Sequence, residues 1–151
     1  MRISKKVDEL YRLHGTYNPT ALADFLEIQI RYVPFLSNPD GQFINMVDKP
    51  IILINEKLRE SPKRFFVIAH ELFHAIEHSD LAGYYVANDK FRGKLESEAN
   101  KFAASLIFRF HIDKTGDMPY SFEKMQLYYG ISEDISNYLL DGIAQNNNAF
   151  L

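Results

Sequence analysis

The sequence contains no cysteine. Disulfides and thiolate metal sites are therefore excluded, and a bound metal must be held by histidine and carboxylate. The absence suits a reducing compartment, and the expected location is the cytoplasm. No apolar run approaches the roughly 20 residues that a helix needs to cross a bilayer. The opening residues, MRISKKVDEL, carry charge but no apolar block, so they do not read as a secretion signal. Basic charge is not in excess either: a net charge of -3 leaves no electrostatic footprint for nucleic acid or an acidic membrane. Internal repeats and low-complexity linkers are also missing. What is present is ordinary for a globular chain of 151 residues, 46% hydrophobic and 25% charged, and one domain with its own core is expected.

The most informative stretch is Ser61 to His78, SPKRFFVIAHELFHAIEH. Ser61 is a good N-cap and Pro62 suits a first helical position, so the stretch reads as a helix. At about 100° per residue, Phe65, Ile68, Ala69, Leu72, Phe73, Ala75 and Ile76 fall in one arc of roughly 160°. His70, Glu71, His74 and His78 fall outside it. His70 and His74, four apart, share a face and can aim both imidazoles at one point, with Glu71 beside that point. This is H-E-x-x-H, the layout of a zinc hydrolase whose glutamate is the base and not a ligand.

Before this helix, residues 2–13 and Pro19 to Glu27 read as two packing helices, the second capped by Asn18 and striped with Leu22, Phe25 and Leu26. Ile28–Leu36, Gln42–Val47 and Ile51–Ile54 read as strands, the last two as a hairpin. A small sheet against the H-E-x-x-H helix follows, with an edge that suits an extended peptide. After it, Ser79–Gly93 reads as a loop and Lys94–Phe108 as a helix with the stripe Ala99, Phe102, Ala103, Leu106 and Ile107. Ser121 caps a helix to Tyr129, Gly130 stops it, and a last helix runs from Ile131 to about Ala144. That pair looks like a helix-turn-helix, but Glu133 and Asp134 at the start of its second helix are poorly suited to phosphate. No direct contact with nucleic acid is expected.

Catalytic zinc takes three protein ligands and a water. Downstream candidates for the third are His78, Asp80, Asp89, Glu96, Glu98 and His111. His78 lies about 12 Å of axial rise from His70, too far to share a metal with it readily. Glu96 and Glu98 are about 200° apart on their helix, so one of them at most faces the metal.

AHELFHAIEH followed by ESEANKFAASLI, with GQFINMVDKPIILINEKL ahead of them, resembles the ImmA/IrrE family of zinc metallopeptidases. The resemblance covers roughly residues 18–108, with a looser match in the C-terminal helices. It implies an α+β, zincin-like single domain over residues 1–151. N-terminal helices occupy 1–27, sheet and zinc-site helices 28–108, and a C-terminal helix pair 120–145. It also implies a ligand set of His70, His74 and Glu96, with Asn100 orienting a histidine and Glu98 as the competing carboxylate. Relatives often continue the second motif into Met-Pro, where this chain has Phe108-Arg109. The oxyanion donor is left open among Tyr84, Tyr85, His78, Tyr120 and His111.

The implied activity is zinc-dependent, site-specific endopeptidase cleavage, with Glu71 as general base. The implied substrate is a helix-turn-helix repressor of a phage, mobile element or stress regulon. The competing reading is an antirepressor that sequesters its repressor without turnover, zinc serving only the fold. An intact Glu71 favours the enzyme, because a structural site needs no base. No membrane partner is expected, and the sequence carries no signal for an oligomeric state.

Overall fold

The computed structural model describes residues 2–34, 40–46, 49–77, 89–119 and 121–135. Helix α1 (Arg2–His14) buries Val7 and Leu10. Helix α2 (Pro19–Phe25) starts as its sequence requires: the Asn18 side-chain oxygen accepts the amides of Thr20 and Ala21 at 2.9 and 3.4 Å, and Pro19 fills the first turn. Its buried residues are Pro19, Leu22 and Ala23, whereas Phe25 is exposed and stacks on His14. Of the expected stripe, Leu22 is buried and Leu26 packs against the core, while Ala23 takes the inward place expected of Phe25.

Strands β1 (Gln29–Val33), β2 (Gly41–Met46) and β3 (Lys49–Asn55) form one sheet in the order β1-β3-β2. β1 runs parallel to β3, and β2 antiparallel to it as the expected hairpin. β3 begins at Lys49, so Pro50 lies inside a strand and not in the connecting loop. Proline is tolerated there because pairing with β1 starts only at Ile51. β1 stops at Val33, short of the expected Leu36, and residues 35–39 lie outside the described residues.

Helix α3 (Lys63–Glu77) carries the H-E-x-x-H residues. Ser61 Oγ accepts the Lys63 amide at 3.1 Å and so supports the first turn. The helix lies between the sheet and α4 (Asp89–Thr115), with α2 also against it. Being covered on several sides, it buries Phe66 as well as the expected Phe65, Ile68, Ala69, Leu72 and Phe73, while Ile76 near its end is 40% exposed.

Helix α4 is 27 residues long, well beyond the expected 94–108. At its start it takes over residues expected in the loop, and residues 78–88 lie outside the described residues. Its extension past Phe108 follows from the departure noted above. A proline at 109 would break the helix, whereas Arg109 continues it and bonds the Asp8 carboxylate and Ser4 Oγ of α1. A second ion pair, Lys6 with Glu77, ties α1 to α3.

Helix α5 (Phe122–Tyr129) has both expected caps: Ser121 Oγ accepts the Lys124 amide at 3.2 Å, and Gly130 turns the chain at φ 70. A short 3-10 turn, Glu133–Ile135, follows, and the rest of the expected last helix lies outside the described residues. The protein is thus a mixed α+β domain, a three-stranded sheet packed against helices. Among the described residues no helix is long and apolar enough to cross a membrane.

Candidate metal centre

α3 supplies His70, Glu71 and His74, whose ligating atoms lie within 4.8 Å of one another, a group able to hold a metal ion. Helical spacing alone brings the two imidazoles together, with ring centroids 5.0 Å apart. α4, packed alongside, presents Glu96. Its carboxylate oxygens reach His70 Nε2 at 2.9 Å and His74 Nε2 at 3.0 Å. One helical turn on, Asn100 Oδ1 lies 2.8 Å from His70 Nδ1.

The donor set fits a cation. An amide oxygen can only accept, so His70 Nδ1 carries the ring proton and its Nε2 presents a lone pair. That lone pair faces a carboxylate oxygen at 2.9 Å. Two acceptors so close repel unless a proton or a metal lies between them, and both available ligand types, imidazole and carboxylate, suit zinc.

Glu71 is 8% exposed and its two oxygens face different ways. Oε1 accepts the backbone amide of Phe43, on β2, at 2.9 Å. Oε2 stands 3.7 Å from His70 Nε2, on the histidine side. Burial pushes the Glu71 carboxyl up, and the opposing pull of His70, His74 and the Phe43 amide does not cancel it. For His70, burial pushes the imidazole down, but the bond to Glu96 and the charges of Glu71 and Glu96 outweigh it, leaving its pKa raised.

The other sequence candidates are not brought to this point by anything described. His111 is engaged with α5, its Nδ1 2.9 Å from the Tyr129 hydroxyl. Glu98 sits half-buried on another flank of α4. His78, Asp80, Tyr84, Tyr85 and Tyr120 lie outside the described residues, as does the side chain of Asp89. Sequence reasoning missed the Phe43 amide, because a main-chain donor leaves no trace in residue identity. It also began the strand at Gln42 and so left Gly41 out of it. A Cβ on Gly41 would lie 2.3 Å from Val67 Cγ1 and 3.4 Å from Glu71 Cγ, so this glycine is what lets β2 approach α3.

An H-E-x-x-H helix wedged between an edge strand and a second helix defines a metal-dependent peptidase. The comparisons agree. The family model for the IrrE N-terminal-like domain, Peptidase_M78, matches residues 23–134. Metallopeptidase ImmA of Bacillus subtilis (strain 168) is 31% identical over 158 aligned positions, covering 97% of this chain and 88% of that protein. The chain belongs to the IrrE N-terminal-like family of metallopeptidases.

Proposed function

We propose that the protein is a zinc-dependent, site-specific endopeptidase, with His70, His74 and Glu96 as metal ligands and Glu71 as general base. The observation that carries this reading is the pair of approaches from one carboxylate, Glu96, to both imidazoles at 2.9 and 3.0 Å. Asn100 supports it by fixing the ring orientation and proton of His70, as partners of ligating histidines do. Zinc held there would lower the pKa of a water to about 7 and polarise the scissile carbonyl.

The chain's own residues supply the rest. Glu71 Oε1 is held by β2, which leaves Oε2 to accept a proton from the attacking water and return it to the leaving nitrogen. Burial that raises its pKa brings this carboxylate nearer the range useful to a base at neutral pH. The substrate is expected to pair with the outer edge of β2. Phe43 directs its amide to Glu71 and not to β3, so the alternation of an antiparallel ladder turns Gly41 and Asn45 outward as well. Pro50 opposite Asn45, with no amide hydrogen to give, agrees with this phase.

The substrate class is the one that the family resemblance implies, a helix-turn-helix repressor, and the site of action is the cytoplasm. Glu71→Gln should fold, hold zinc and bind the repressor, yet lose about 10²–10⁴ in cleavage rate. Mass spectrometry of repressor fragments, beside an operator-release assay, reads the outcome. Release of the operator by Glu71→Gln at the parent's rate, without fragments, would show that the protein acts by sequestering its partner.

A further inference from the structure

We propose that Gly41 is a positioning residue for Glu71: by bringing β2 close to α3, it lets the Phe43 amide hold one carboxylate oxygen. The inference rests on the reading of Glu71 as the base. It adds that the strand expected to receive substrate also sets the orientation of the base.

Three observations converge. First, the Phe43 amide points out of the sheet, away from β3, and is taken up by Glu71 Oε1 at 2.9 Å. A buried carboxylate is thereby anchored by a main-chain donor that cannot be exchanged by changing the side chain at 43. Secondly, the gap between strand and helix at Gly41 admits no side chain, since an added Cβ would meet Val67 Cγ1 at 2.3 Å. Valine on a helix is confined to essentially one rotamer, so Val67 has little freedom to move aside. Thirdly, Gly41 is extended and is not among the glycines of positive φ, so nothing in its own backbone demands glycine. Close approach is the remaining reason for glycine at this position.

Gly41→Ala should push β2 away from α3 and break the contact, while His70, His74 and Glu96, all on α3 and α4, stay in place. Trimming the opposing side chain, in Gly41→Ala/Val67→Ala, should let the strand return.

Hydrogen exchange at single amides, followed by NMR on the purified protein, tests the contact without a substrate. In the parent, the Phe43 amide should exchange about tenfold more slowly than in Glu71→Ala, the scale of one hydrogen bond to a charged group. The Asn45 amide, also turned outward, should not respond. Gly41→Ala should lose the Phe43 protection and the double variant regain it. Zinc content should be equal in the parent, Gly41→Ala and the double variant. On a repressor cut by the parent, kcat should fall about 10²-fold in Gly41→Ala, the effect of roughly 1 Å of misplacement, and recover in the double variant. Equal exchange at Phe43 in parent and Glu71→Ala, or undiminished protection in Gly41→Ala, would overturn the proposal. Cleavage by Glu71→Gln at the parent's rate would instead overturn the assignment of the base and leave the exchange pattern as expected.

Discussion

Glu96 and Glu98 show how much rests on two positions along one helix. They are chemically identical and lie about 200° apart around α4, so a single packing choice separates them. The packing of α4 on α3 brings Glu96 to both imidazoles, at 2.9 and 3.0 Å. Removing one carboxylate oxygen's charge there should weaken zinc binding by orders of magnitude in Glu96→Gln, whereas Glu98→Gln should bind nearly as the parent does. Competition against a chelator of known affinity gives the ranking, and a reversed order would transfer the ligand to Glu98. The clustering of His70, Glu71 and His74 was legible because it is a property of one helix, fixed by the four-residue step. Glu96 was legible only through resemblance, since its approach depends on how two helices pack. The Phe43 amide was illegible, because it depends on the distance between a strand and a helix that no residue type records.

Elements announced themselves where local chemistry decides their ends. Asn18-Pro19, Ser121 and Gly130 each mark a helix end in the sequence, and each does so in the structure. Elements were misjudged where burial decides. In α4 the buried positions among those described run from Leu95 to Phe110, so the apolar period that marks a helix does not reach its first and last turns. Gly93 near its start, a poor helix former, further obscured the boundary. The end of α2 offers a test of local chemistry. Glu27 sits at φ 60, where the Ile28 amide closes on Ala23 at 2.8 Å, a position that favours glycine. Relief of left-handed strain in Glu27→Gly should exceed the entropy gained by its unfolded chain, raising stability by roughly 0.5–1 kcal/mol. Urea denaturation with an unchanged m-value would register the gain; a loss would mean that the Glu27 side chain matters more than its backbone.

At the scale of the molecule, α4 joins three of the other helices. α1 is tied to it by Arg109, α3 lies along it, and α5 reaches it through Tyr129 and His111. The last of these links titrates. Tyr129 is 1% exposed and burial, with Tyr128 beside it, pushes its phenol up to about 12, so it remains protonated, with its hydroxyl 2.9 Å from His111 Nδ1. Burial, and then the charge of Lys114, push the His111 pKa below its ordinary value of 6.5. Its unfolded form therefore takes up a proton first as pH falls, and stability declines wherever the unfolded chain holds more protons. This contribution is absent above about pH 6.5, grows as pH drops through that ordinary value, and levels off below the depressed folded pKa. His111→Gln cannot protonate, so the stability difference between parent and variant should hold from pH 7.5 to about 6.5 and shrink as pH falls below it. The difference isolates this residue, because groups at the metal centre contribute alike to both proteins. Parallel stability curves across that range would show that His111 titrates equally in the folded and unfolded chains, and that its bond to Tyr129 does not depend on its charge.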